Sequence, residues 1–409
     1  MDDRSLEETT QEKPGPDSFL RKLYRPGPLV FFFIVAFLGL AFLGYSLLQS
    51  PTPSPQVIES PQAAPATSKV YEEDTSSEME DQVKQIDLAI IETMRDLKIA
   101  MNQLNLLDVE IREKDGHGYH YQVLQLPALS DRKAFLTTLH KRLAARHSEA
   151  AITDNGPKEA LISIGVLPTH RLLLKDIPMQ LPVPQEKHGP LLAVVIDDIG
   201  ENKAVLRGLV NLDFPVTLAV WPNASFTRES VELIVEKKHE LIIHFPMEPR
   251  QFPRYNPGDD ALFVSMSDDA IRKRVALNVS KIPEAIGVNN HMGSRFTENT
   301  EKMQVALKAF KQHGLFFLDS LTTGKSVGRP ASKQAAVPFY ERDIFIDNVK
   351  DVNAIVHQLK KAENVARKQG TAIAIGHPYR ETLTALKKWT AERGSSVKLV
   401  SISKIPAAK

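Results

Sequence analysis

The spacing of apolar and polar positions divides this chain into stretches suited to different surroundings. Leu29–Leu48 carries no charge and is rich in Phe and Leu. At about 1.5 Å per residue, a helix of that length spans about 30 Å, the thickness of a bilayer core. Residues 29–48 therefore read as a single transmembrane anchor behind a polar tail, residues 1–28. Residues 49–77 contain Pro at 51, 53, 55, 61 and 65 among Ser, Ala and Thr. That composition builds no core and reads as a semi-extended linker. From Glu78 to about Asn105 apolar positions return with helical spacing. Val83, Ile90, Leu97 and Leu104 recur every seven residues, with Ile86, Met94, Ala100 and Met101 beside them. Such a seam suits either a short, weak coiled-coil dimer through residues 78–105 or packing within a small domain of the same chain. The strand-like runs His120–Leu126, Ala160–Val166 and Leu172–Leu174, with a helical pattern over Arg132–Arg146, supply that domain. It is α+β in class and spans residues 78–177. The proline-rich stretch Pro178–Gly189 marks its end.

Beyond it the rhythm changes again. Apolar runs fall at Leu191–Ile196, Val216–Trp221, Glu240–His244, Ala285–Val288, Leu315–Leu318, Ile344–Ile346 and Thr371–Ile375. Helical patterns separate most of them: Glu201–Val210, Glu229–Lys238, Asp268–Ile282, Thr300–His313 and Val352–Gln369. Alternating strands and helices imply a parallel sheet with crossover helices. The first run has no polar break, as a strand buried on both faces requires. About seven strands within residues 190–409 fit an incomplete (β/α) barrel, so the fold class is α/β, behind a transmembrane helix and a small α+β domain. A single glycine follows the first strand, which argues against a dinucleotide fingerprint.

Charge refines the picture in two places. Lys and Arg (51) balance Asp and Glu (50), so the basic excess of a nucleic-acid binder is missing. Arg21, Lys22 and Arg25 precede the apolar span, and the next positive charge is Lys69. The positive-inside rule then puts the N-terminus in the cytoplasm. Residues after 50 lie outside, tethered to the cytoplasmic (inner) membrane by one pass. A signal peptide cleaved near Ala63–Ala66 competes with this reading, but the long region before the span and the length of the span favour an uncleaved anchor. No cysteine is present, which excludes disulfides and Cys-ligated zinc.

Candidate chemistry gathers at the strand ends. The first run ends in Asp197-Asp198, the third in His244 with Glu248 beyond it, the fourth in Asn289-Asn290-His291, the fifth in Asp319-Ser320 and the seventh in His377. In a parallel βα array these ends converge on one mouth. One Asp alone would serve as a helix cap, but a cap does not need two. An Asp/His/His set suits Zn²⁺ or a similar divalent ion with an open position, and a spare carboxylate and histidine would supply a base and an acid. The histidines of the small domain (117, 120, 140, 147 and 170) are scattered and form no such constellation.

In this order the pieces Val195-Ile-Asp-Asp-Ile-Gly, His244-Phe-Pro-Met-Glu-Pro, Asn290-His-Met-Gly-Ser-Arg, Phe317-Leu-Asp-Ser and Gly376-His-Pro-Tyr resemble the divergent polysaccharide deacetylase family. This is a distant branch of the carbohydrate esterases that remove acetyl groups from polysaccharides. The resemblance covers about Pro190 to Ile405. It implies that Asp197 is the base, Asp198 and His244 are metal ligands, and His377 is the acid. Two departures from the broader deacetylases stand out. Glu248 replaces the second histidine of a His-x-x-x-His pair, and His291-Met-Gly-Ser replaces an Arg-x-Pro-Tyr stretch. His291 is therefore expected as the third ligand, with Glu248 as the alternative. Arg342 and Asp343 are candidates to orient Asp197 or His377, and Gln251–Gly258 is a candidate sugar-contacting loop. The resemblance implies a zinc-type hydrolase acting on an acetylated glycan, and the anchor read from residues 29–48 makes an envelope glycan, peptidoglycan or exopolysaccharide, the expected substrate. The alternative is a degenerate deacetylase fold that binds glycan or an envelope partner without turnover.

Overall fold

The computed structural model describes residues 79–114, 117–174 and 189–408, with Phe37 and Leu38 apart from them. Apart from those two, the apolar span Leu29–Leu48 and the linker lie outside the described residues. Among the described residues no helix is long and apolar enough to cross a membrane. The chain divides into two units, Met1–Lys69 and Val70–Lys409.

The second unit opens with helix α1 (Met79–Asp96). The helix stops nine residues short of the expected Asn105. Lys98 takes a left-handed φ of 54°, and Asn105 already pairs with Gln125 as the start of a strand. Tertiary pairing has overridden the helical spacing there. Strands β1 (Asn105–Lys114), β2 (His117–Leu126), β3 (Ala150–Asp154), β4 (Glu159–Ile164) and β5 (Leu167–Leu174) form a sheet in the order β1-β2-β5-β4-β3. Helix α2 (Arg132–Arg146) starts at Asp131, whose carboxylate accepts from Ala134 N at 2.8 Å. The heptad seam of α1 (Val83, Ile86, Ile90, Met94) is buried in one cluster with Leu124, Phe135, Leu139, Leu143, Ile162 and Leu172. The seam is thus covered by the chain's own small sheet and α2.

The second sheet contains β6 (Leu191–Ile199), β7 (Thr217–Val220), β8 (Glu240–Met247), β9 (Gly287–Met292), β10 (Phe316–Asp319), β11 (Phe339–Glu341), β12 (Ile344–Phe345), β13 (Thr371–Gly376) and β14 (Lys398–Val400). Eight of them run in the order β11-β10-β9-β8-β7-β6-β13-β12, and their pairings are parallel. The ninth, β14, pairs with Leu191–Ala193 of β6, below the stretch where β7 takes over from Val195. Only Arg342 and Asp343 separate β11 from β12. At about 3.3–3.6 Å per residue, the two edges of the sheet therefore come within about 11 Å, and the sheet curls into a nearly closed barrel. The expected count of about seven strands is short by β11 and β14, three-residue strands defined by their neighbours and too brief to show periodicity.

Helices α3 (Lys203–Leu209), α4 (Thr227–Glu236), α5 (Asp268–Lys281), α6 (Thr300–Gln312), α7 (Gly328–Ala335), α8 (Val352–Gln369) and α9 (Arg380–Glu392) alternate with the strands. Successive strand residues face opposite sides, and the two sides form two cores. Leu192, Val194 and Ile196 join the helix-side core, while Ala193 and Val195 join a second cluster with Ala219, Ile242, Leu318, Ile373 and Ile375. This double burial explains the unbroken apolar run.

The small sheet and α1 meet the barrel at α8 through buried polar groups. Asp87 accepts from Gln122 Nε2 (2.7 Å) and Gln358 Nε2 (2.8 Å) and lies 2.8 Å from His170 Nε2. Lys361, fully buried, donates to Glu80 Oε1 at 2.6 Å.

Candidate metal and catalytic site

The two aspartates at the end of β6 owe their placement to a bulge. Val195 pairs with Thr217 and Ile196 with Leu218, but the next pair is Ile199 with Val220. Asp197 and Asp198 together therefore stand opposite Ala219, with Asp198 at φ 52°. A bulge of this kind re-aims side chains that would otherwise alternate, so both carboxylates enter the barrel mouth. Gly200 follows at φ 131°, where a Cβ would stand 2.3 Å from that of Ala224. Neither aspartate caps α3; Asn202 does, accepting from Val205 N at 3.1 Å.

His244 lies within β8 and not at its end, since the strand runs on to Met247. It is in register with Asn289 of β9, and Pro246 with His291. Asn289 and His291, two residues apart, share a face. Asp198 Oδ1 is 3.2 Å from His244 Nε2 and 3.2 Å from His291 Nδ1, and the two nitrogens are 3.1 Å apart. Donors bonded tetrahedrally to an ion at about 2.0–2.2 Å lie about 3.3–3.6 Å from one another, so this triangle is close to one face of such a site. All three residues are buried, and neither oxygen of Asp198 has a hydrogen-bond partner among the described residues. A buried carboxylate left without donors costs free energy unless a cation meets it. Two imidazoles and a carboxylate are the donor set a zinc-like ion takes, so the residues fit the group.

Asn289 fixes the surroundings. Its Nδ2 donates to Asp197 Oδ1 (2.8 Å) and Ser320 Oγ (3.1 Å), and its Oδ1 faces His244 Nδ1 at 2.9 Å. An ionised carboxylate only accepts, so the amide orientation follows, and His244 carries its proton on Nδ1 with Nε2 turned to Asp198. Asn290 points the other way, accepting from Ser320 N at 2.9 Å.

Charge is distributed unevenly. Burial would raise Asp198, but His291 and His244 outweigh it and hold the carboxyl well below its usual range. Burial wins at Asp197, whose pKa is raised despite His244 and His377. Burial opposes protonation of His244, yet Asp197 and Asp198 raise its pKa, whereas His291 is lowered by its own burial. Adjacent carboxyls are thus driven apart in basicity.

Across the mouth, His377 Nε2 lies 3.7 Å from Asp198 Oδ2, and its Nδ1 is 3.1 Å from Asp347 Oδ1. Asp347 Oδ2 also accepts from His377 N (2.5 Å) and Thr382 Oγ1 (2.6 Å). Asp347 is not among the residues singled out in the sequence, although it ends the apolar run Ile344–Ile346 as Asp197 ends the first. Trp221, another residue given no role, lies with its ring 4.8 Å from that of His291.

Other candidates are not brought to this cluster. Glu248, considered as an alternative ligand, accepts from Val264 N (2.7 Å) and pairs with Arg295 Nη1 (2.9 Å). Arg342 donates to the carbonyls of Ser320 and Leu321, and Asp343 accepts from Ile373 N. These two residues hold strand ends and orient neither Asp197 nor His377, contrary to expectation. Asp319 accepts from Leu321 N (2.9 Å) and Ser326 Oγ (2.5 Å) inside its own turn. In the loop 251–258, Phe252 packs on Phe263, and a Cβ on Gly258 would stand 3.9 Å from the Trp221 indole.

Known proteins resemble the barrel region of this chain in sequence and fold. A family model described as divergent polysaccharide deacetylase matches residues 194–405. The uncharacterized protein YibQ of Escherichia coli K12 is 32% identical over 214 residues, 52% of this chain and 66% of that protein. An uncharacterized protein of Haemophilus influenzae KW20 is 32% identical over 214 residues, 52% of this chain and 76% of its own length. The chain thus spans just under two thirds of the E. coli relative. Among solved structures, the uncharacterized protein ATU2773 from Agrobacterium tumefaciens C58 superposes with a TM-score of 0.51 at 25% identity, covering 54% of this chain and 91% of that one.

Proposed function

Because the chain belongs to the divergent polysaccharide deacetylase family, we propose that it is a metal-dependent hydrolase that removes acetyl groups from an envelope glycan, with peptidoglycan as the first candidate. The observation that carries this reading is the closed triangle of Asp198, His244 and His291, flanked by Asp197 and by His377 backed by Asp347. Asp198, His244 and His291 would hold a divalent ion, zinc by the donor set. When bound, such an ion supplies Lewis-acid polarisation of an acyl carbonyl and acidifies water.

The chain's residues do the rest. Asp197, made more basic by burial and held by Asn289, takes the proton of the attacking water. His377 presents Nε2 to the same space while Asp347 fixes its Nδ1–H, so it gives a proton to the departing amine or alkoxide. Asp197, Asp198, His244, His291 and His377 are all buried, which strengthens each of these interactions. The uncharged span Leu29–Leu48 and the basic residues before it support tethering to the cytoplasmic membrane, with the catalytic domain outside.

Acetate release from acetylated chitooligosaccharides and from peptidoglycan sacculi tests the reading. Release that requires a divalent ion and is lost in Asp197→Asn supports it. A protein that holds its ion, binds the glycan and frees no acetate would be the binding module instead.

A further inference from the structure

The loop between β12 and α8 is held from two sides. On one side it carries Asp347 to His377. On the other it meets α1, which lies outside the residues matched by the family model. Asn348 Nδ2 donates to Asp81 Oδ1 at 3.1 Å. Val349 packs with Leu88, Ile91 and Ala354 in a small separate core. Arg95 pairs with Asp351 at 2.7 Å, and Asp351 caps α8 through Asn353 N and Ala354 N. Lys84 Nζ sits 5.4 Å from the centre of the Phe345 ring, and that ring lies 5.1 Å from the ring of His377. Residues on both sides of Asp347 are therefore fixed by one helix of the small domain.

We infer that α1 is a positioning element of the site: its Leu88–Ile91 face and Asp81 hold residues 345–351 so that Asp347 meets His377. The role of His377 as an acid rests on the proposed function; the positioning itself rests on the contacts. Asp347 is also held by His377 N, by Thr382 Oγ1 and by the bond from Ile346 N to Ile375 O beside it. Because β12 has only two residues and α8 begins at Val352, residues 348–351 depend on α1. A shift of about 1 Å in a positioned catalytic group can cost up to about 10²-fold in rate.

The two faces of α1 provide the test. Leu88 and Ile91 face the loop and α8, whereas Ile90 faces the small sheet. Leu88→Ala, Ile90→Ala and Asn348→Ala would be made in the full chain. Each would be assayed for kcat and KM of acetate release, for zinc affinity, and for solvent exchange of the His377 Nδ1–H proton. That proton is observed by NMR in ¹⁵N-histidine-labelled protein and assigned by its loss in Asp347→Asn. Leu88→Ala is expected to lower kcat by about 10-fold or more, with KM and zinc affinity unchanged and faster exchange of the proton. Asn348→Ala should act in the same direction, and it keeps the test open if Leu88→Ala fails to fold. Ile90→Ala should leave kcat and the proton as in the parent. Equal effects of Leu88→Ala and Ile90→Ala would overturn the inference, as would unchanged exchange in Asn348→Ala and Leu88→Ala. If the parent releases no acetate, the proposed function fails, and the proton exchange alone decides the positioning claim.

Discussion

Removing the Asn289 side chain should damage both the stability of the barrel and its hold on a metal ion. Asn289 is fully buried and joins three groups: His244 Nδ1, Asp197 Oδ1 and Ser320 Oγ. Asn289→Ala leaves the first two as buried polar groups without that partner. At about 1–3 kcal/mol each, the loss is ~2–6 kcal/mol of folding free energy. The effect on ion binding has a different origin. Without the amide oxygen, His244 is free to rotate or to move its proton to Nε2, the atom turned to Asp198. Loss of such an outer hydrogen bond typically lowers metal affinity about 10–100-fold. Asn289→Asp separates the two effects. It preserves the acceptor for His244 but puts a carboxylate where an amide stood 2.8 Å from Asp197 Oδ1. Its ion affinity should stay near that of the parent while deacetylation falls. Competition titration of zinc into metal-stripped protein, with urea unfolding in parallel, measures both quantities. Unchanged zinc affinity in a folded Asn289→Ala protein would refute the reasoning that this amide sets the orientation of His244.

Asp197→Asn should retain the ion yet lose about 10²–10⁴-fold in acetate release, the usual worth of a general base. His377→Ala should behave alike, with the larger loss on substrates whose leaving group most needs a proton. Glu248→Ala should keep the ion and lower stability through lost contacts to Val264 and Arg295; ion loss there with retention in His291→Ala would reverse the ligand assignment. Burial raises the Asp319 carboxyl from 3.8 to about 6, so the native state binds the extra proton between these values. At about 1.36 kcal/mol per unit, this group's contribution, complete below pH ~4, falls by ~3 kcal/mol as pH rises through 6. The stability difference between Asp319→Asn and the parent, from unfolding at several pH values, should grow in favour of the variant over that range; a difference flat from pH 4 to 7 would contradict it.

The alternation of strands and helices is legible in the sequence because buried parallel strands are written as unbroken apolar runs. The short strands β11 and β14 are not, since three residues become a strand through what they pair with. Helix α9, which is absent from the expected helical patterns, carries a plain signal in Thr382, Ala385, Leu386 and Trp389, at helical spacing on the buried side. Asp198, His244 and His291 are visible as residue types at or near the ends of apolar runs, and the structure brings them together, although His244 lies inside β8 and not at its end. What no spacing reveals is the bulge that turns two successive aspartates the same way, because it depends on the register between β6 and β7. The bridging role of Asn289 and the bracing role of Glu248 are hidden for the same reason, their partners lying far away in sequence. Asp347 could have been found, because it ends an apolar run as Asp197 does.

The most direct test of a metal-dependent hydrolase is to locate the ion. Crystals of the purified protein grown with zinc, with diffraction recorded on both sides of the zinc absorption edge, would give an anomalous map. One peak per chain, bonded to Asp198, His244 and His291 and lost in Asp198→Ala, is the predicted result. No peak at that triangle, or a peak bonded to Glu248 in place of His291, would contradict the account.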